Sequence, residues 1–115
     1  METEAEWKFI NDHIQKLATQ GMHPRNEWHI GLKQVGNKWQ WVSGHTMTID
    51  KWQRDRPNND GTVGVMAKNY PPGSKGLFDD VRSDHSYAFI CELTFGKKIW
   101  VYFKETAMEI GRAHV

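Results

Sequence analysis

The sequence predicts an α+β domain. An amphipathic helix opens it, several short β-prone runs separated by long polar loops follow, and a second helix-capping pattern stands near the end. The 115 residues suffice for one core and are too few for two, so residues 1–115 read as a single domain. Six Trp, five Phe and three Tyr supply the large apolar side chains that such a core needs.

Taken in order, Thr3-Glu4-Ala5-Glu6 has the spacing of a capping box, with Thr3 as N-cap and Glu6 reaching back. Ala5, Phe9, Ile10, His13, Ile14 and Leu17 then recur at three- and four-residue steps, which predicts a helix of about four turns stopping near Gly21. His23-Pro24-Arg25-Asn26 breaks the chain into a loop. Trp28–Leu32 reads as a strand, Val35–Lys38 as a turn, and Trp39-Gln40-Trp41-Val42 as a second strand. Residues 53–62, QRDRPNNDGT, carry the Asn, Asp and Gly of an irregular surface loop. Val63–Ala67 is apolar enough for a buried strand, and Asn69–Gly76 is a loop around Pro71-Pro72-Gly73. Leu77-Phe78 re-enters the core, and Ser83-Asp84-His85 turns. Tyr87–Leu93 and Ile99–Phe103 form two strong strands joined by Phe95-Gly96-Lys97. Thr106-Ala107-Met108-Glu109 repeats the capping-box pattern, so a second helix is expected from there.

Composition narrows the function. The formal charge is +1 with acids and bases interspersed, which leaves no footprint for nucleic acid or for an anionic membrane surface. No apolar run approaches the roughly 20 residues of a membrane helix, so no membrane insertion is expected. The opening METEAEWK lacks the pattern of a signal peptide, which suits a cytosolic chain or a mature recombinant fragment given a start Met. The single Cys91 allows no intrachain disulfide. Lying in an apolar run, it is expected to be buried and inert. The six His show no metal-ligand spacing, and neither G-x-S-x-G nor a P-loop is present, so no catalytic residue is assigned and the chain does not read as an enzyme. Trp28, Trp39, Trp41 and Trp52 fall at strand positions where core packing is the default.

Several stretches, in order and spacing, resemble the C-type lectin-like domain. Trp28-His29-Ile30-Gly31-Leu32 is similar to its "WIGL" strand, and Trp39-x-Trp41-x-x-Gly44 followed by Trp52 to its next strands. Arg56-Pro57-Asn58-Asn59 stands where the family has "EPN" or "QPD", Phe78-Asp79-Asp80 where it has "WND", and Ala88-Phe89-Ile90-Cys91-Glu92 where it closes on "ICE". The resemblance covers residues 1–93 and implies two helices, short antiparallel sheets and long irregular loops that carry binding.

It also implies two disulfides that this chain lacks: Val63 and Ser83 hold the positions of one, and Cys91 has no mate for the other. Residues 98–115 resemble the family's N-terminal strand and first helix, with Val115 where that helix has its cysteine, as in a circular permutation. A strand missing between that helix and Met1 would leave a sheet edge open to a partner, so a homodimer is expected.

The family's calcium and sugar site draws hard oxygen ligands from the "EPN" loop, a following Glu, and "WND". By position the candidate binding residues are Arg56, Asn58, Asn59, Asp79 and Asp80, with Asn58, Asp79 and Asp80 the vestigial calcium positions. Arg56 replaces a ligand with a cation, and Gly61 or Thr62 stands where the other Glu is expected, so no tight calcium site and no other metal or cofactor is expected. The reading that results is an extracellular-type recognition module, at the cell surface or beyond it as in the family, binding a glycan or protein through loops 53–62 and 68–86. The alternative is an engineered, disulfide-free, permuted or self-assembling scaffold with no ligand of its own.

Overall fold

Helix α1 (Glu4–Lys16) begins where the capping box places it: the Glu6 N–H donates to Thr3 Oγ1 at 3.1 Å, and the Thr3 hydroxyl donates to the Glu6 carboxylate at 2.9 Å. Glu4 and Glu6 in its first turn and Lys16 in its last suit the helix dipole. Ile10 and Ile14, one turn apart, are fully buried, while Ala5 is exposed and Trp7 packs against the core instead. The computed structural model describes residues 3–16, 26–84, 88–95, 98–103 and 106–112, so Leu17 and the expected stop at Gly21 lie outside the described residues.

The strands are β1 (Glu27–Val35), β2 (Lys38–Trp41), β3 (Val63–Ala67), β4 (Phe78–Val81), β5 (Ala88–Phe95), β6 (Lys98–Phe103) and β7 (Thr106–Arg112). They pair in the order β4-β3-β1-β5-β6-β7, with β2 also on β1. Every pairing is antiparallel except β1 with β5, where Trp28 faces Ala88 and His29 faces Phe89. Strand β1 is therefore the hub. Its register with β3 shifts between His29 and Leu32, and Gly31 at φ +71° supplies the left-handed residue of that irregularity.

The core lies between α1 and this sheet. Ile10, Ile14, Trp28, Ile30, Leu32, Trp41, Ile49, Met66, Phe78 and Ile90 form one buried cluster, and Trp39 and Trp52 pack against it. Edge-to-face contacts join Trp41 and Trp52 to Phe78 with centroids 6.3 and 6.2 Å apart, so Phe78 fixes the start of β4. Two side chains of α1 tie down the loop that precedes β4: Trp7 Nε1 donates to the Gly76 carbonyl at 2.8 Å and Gln15 Nε2 to that of Lys68 at 2.6 Å. No helix among the described residues is long and apolar enough to cross a membrane.

Two expectations are corrected. The second helix is not found among the described residues: Thr106–Arg112 is strand β7, paired along β6 from Phe103↔Thr106 to Lys98↔Arg112. A capping pattern is a local signal, and a segment this short gains little as an isolated helix. The open edge of β6 offers it a full ladder, and Gly111 weakens the helical alternative. The β5–β6 hairpin expected from the tail is present, with Ile90↔Phe103 through Phe95↔Lys98, but the first helix that a permuted order requires is not found over 106–112. Val115 lies outside the described residues.

Cys91 is exposed rather than buried. Side chains alternate along β5, so Ile90 at 4 % exposure enters the core while Phe89 and Cys91 face out. The alternation sets opposite outcomes for neighbouring substitutions. Ile90→Ala should cost about 2–5 kcal/mol in urea unfolding, whereas Cys91→Ala should fall within about 0.5 kcal/mol of the parent. A thiol reagent should label Cys91 in the folded protein nearly as fast as in denaturant.

Candidate functional site

The candidate site is built on β4. The segment before the polar loop runs beside it: the Phe78 N–H donates to the Lys51 carbonyl at 2.7 Å and the Gln53 N–H to the Phe78 carbonyl at 2.8 Å. The Gln53 side chain is buried and donates to the Tyr70 carbonyl at 2.9 Å, joining loops 53–62 and 68–77 at their bases. Loop 53–62 then turns through Asp55 and Asn59, both at positive φ, a region that Asp and Asn tolerate better than most residues.

Asp80 holds that loop. Its side chain is 2 % exposed, and its carboxylate accepts from three backbone N–H groups: Asn58 at 3.1 Å on Oδ1, Asp60 at 2.9 Å and Gly61 at 3.2 Å on Oδ2. A buried carboxylate needs such donors, and backbone amides supply them in fixed geometry. Gly61 permits the approach: a Cβ there would lie 1.8 Å from the Val81 carbonyl oxygen. The Glu expected near this position in the family therefore has no room at residue 61.

Asp79, next in line, pairs with Arg56, whose Nε donates to Oδ1 at 3.0 Å. Burial pushes the Asp79 carboxyl above the usual range; the Arg56 charge opposes that shift and the Asp80 charge adds to it. The Asn58 side chain turns on its own loop, donating from Nδ2 to Asp60 at 2.8 Å. Of the five residues singled out from the sequence, Arg56 meets Asp79 and Asn58 meets Asp80, while Asn59 points outward into a cleft. Among the described residues no group of three or more His, Cys, Asp or Glu is disposed to hold a metal ion.

The cleft is an open groove of about 460 Å³ between residues 59–62 and the turn 82–84, with Gln34 of β1 on its wall. Ser83, at a position where the family carries a half-cystine, also lines it. Sequence reasoning missed Gln34, Asp60, Thr62, Arg82 and Asp84 as neighbours. Both loops are legible as polar, but Gln34 reaches them from β1, where its backbone N–H donates to the Thr62 carbonyl at 2.8 Å.

Long loops carried on a Trp-rich sheet below, with the acidic strand β4 anchoring them, define the C-type lectin-like class of recognition domain. The lectin C-type domain family model matches residues 1–93, and the chain belongs to that family. Its domains are typically non-enzymatic modules that bind glycans or proteins outside the cell or at its surface. Among solved structures the chain is similar to the mouse scavenger receptor C-type lectin carbohydrate-recognition domain, at 16 % identity and a TM-score of 0.56, covering 100 % of this chain and 69 % of that one. No curated protein matches.

Three variants read this geometry. Asp80→Ala leaves three part-buried N–H groups without their acceptor and should cost about 2–3 kcal/mol. Gly61→Ala should cost at least about 2 kcal/mol, because backbone must move to admit the methyl group. For Asp79, a raised native pKa means that the folded chain takes up its proton at a pH where the unfolded chain is still ionised. The contribution of this group to stability therefore grows as pH falls from neutral through the raised pKa. Asp79→Asn should remove that slope in urea midpoints measured across the range.

Proposed function

We propose that the chain is a recognition module that binds a glycan or protein ligand through its long loops without a tightly held calcium ion. Family membership supports the recognition role, and the carbohydrate-recognition title of the mouse relative supports the glycan half of it. As in the family, the module works outside the cell or at its surface.

One observation carries the calcium-free part: both carboxylates of β4 are already occupied. Calcium takes six to eight oxygen ligands at about 2.3–2.6 Å. The Asp80 oxygens accept three backbone N–H groups, and Asp79 holds the Arg56 guanidinium at 3.0 Å. A calcium ion entering here would meet the positive charge of Arg56 and would compete with the amides for Asp80. The residues at the calcium positions do not fit the ion, and Arg56 supplies at Asp79 the cation that a metal would otherwise provide. The loop keeps its form through protein donors alone, which leaves its outward side chains for a ligand.

Calorimetry with millimolar calcium should show no saturable heat, and the thermal midpoint should be the same with and without EDTA. A calcium-dependent rise of several degrees would contradict the reading, because a ligand held by the native state alone must stabilise it. Arg56→Glu alone should not create the site, since no second acidic ligand stands at Gly61.

A further inference from the structure

Asp60-Gly61 is the sole Asp-Gly or Asn-Gly step in the 115 residues. Such a step is chemically open, because glycine has no side chain to keep its nitrogen from the carboxyl before it. The fold does not let the chain avoid it. A Cβ at residue 61 would collide with the Val81 carbonyl, so any other residue there would displace the backbone of β4. Asp60 is exposed, and water reaches it.

The reaction open to this pair is isomerisation. The Gly61 nitrogen attacks Cγ of the Asp60 carboxylic acid; the N–Cγ bond forms, and the acid's hydroxyl leaves with the amide proton as water. Water then adds to the five-membered imide at the former backbone carbonyl and breaks that carbon's bond to nitrogen. The chain now runs through the Asp60 side chain, one backbone atom longer, and nothing is oxidised or reduced. In the folded turn both reactants are held. The Gly61 N–H donates to Asp80 Oδ2 at 3.2 Å, and loss of its proton there would set a second negative charge against a buried carboxylate. The Asp60 N–H donates to the same oxygen at 2.9 Å, which fixes the residue from its other end. The Asp60 carboxylate accepts from Asn58 Nδ2 at 2.8 Å, which ties it to the N-terminal side of the step.

We infer that Asp60-Gly61 is a latent isoaspartyl site, kept unreacted while Asp80 and Asn58 hold the turn and converted when loop 53–62 opens. The product does not fit the turn. The added backbone atom between Asp60 Cα and the Gly61 nitrogen moves the Gly61 N–H off Asp80 and residue 61 off the Val81 carbonyl that it is seated against. Opening of the loop, otherwise reversible, is thereby recorded in a covalent form that cannot close again. The groove between residues 59–62 and 82–84 loses one wall with it. The site is independent of what the loops bind.

Peptide mapping by mass spectrometry follows isoaspartate at residue 60 in the 115-residue chain, incubated at neutral pH either folded or in guanidinium chloride. The denatured chain should accumulate it about tenfold or more faster, because ring closure in the folded chain waits on local opening. Asn58→Ala, at an exposed position, frees the Asp60 carboxylate and should raise the folded rate about fivefold, the factor that one ordinary hydrogen bond carries. Asp80→Asn removes the charge that opposes loss of the Gly61 proton and should also be faster than the parent wherever its amide spectrum is that of a folded chain. Equal rates in the folded and denatured parent, or no isoaspartate at residue 60 in the denatured chain, overturns the inference. So does a folded Asn58→Ala chain at the parent rate. A folded Asp80→Asn chain that is no faster than the parent overturns it as well, since Asp80 would then act as a base toward Gly61 or not at all.

Discussion

A buried carboxylate decides what the loops of this protein can be. Asp80 lies almost wholly out of water, and a charge in that position persists only if donors surround it. The donors are the backbone amides of Asn58, Asp60 and Gly61, so the path of the loop is the solvation shell of one side chain. The Asn58 side chain adds a bond to Asp60 within the same turn, so backbone and side chain together hold the loop's shape. Residue 61 is held to glycine by its contact with the Val81 carbonyl.

That carboxylate can serve as an anchor only because β4 is itself immobile. Phe78, fully buried between Trp41 and Trp52, fixes the strand at one end, and pairing with β3 from Val63↔Val81 to Met66↔Phe78 fixes its register. The chain of dependence runs from aromatic core to strand, from strand to Asp80, and from Asp80 to the turn that walls the cleft. Electrostatics follow the same line. Two adjacent acids on β4 repel, and the loop answers each differently, with amides for Asp80 and a guanidinium for Asp79. On the calcium-free reading we propose, a loop satisfied from within in this way needs no metal.

Much of this was legible in the sequence because it is written in local chemistry. The Thr3–Glu6 capping box, the paired Ile10 and Ile14, the Trp-rich short strands and the polar run 53–62 each state their own structure. The cation that Arg56 puts beside the site was legible as well, and the structure pairs it with Asp79. What was not legible depended on contacts distant in the chain. The same four-residue capping pattern that starts α1 fails at Thr106, where the edge of β6 offers a ladder that no local signal reveals. Cys91 and Ile90 are both apolar neighbours, and only the register of β5 decides which enters the core. Gln34 meets residues 59–62 and 82–84 through the pairing of β1 with β3 and β3 with β4.

The account turns on whether Asp80, and not a metal, holds loop 53–62. Amide hydrogen exchange at Asn58, Asp60 and Gly61 reads this directly, since those three N–H groups are the ones that the carboxylate accepts. Exchange in EDTA should be strongly slowed relative to Asn59 and unchanged when calcium is added. Free exchange in EDTA that becomes slow only with calcium would show a loop shaped by the ion, and would contradict the account.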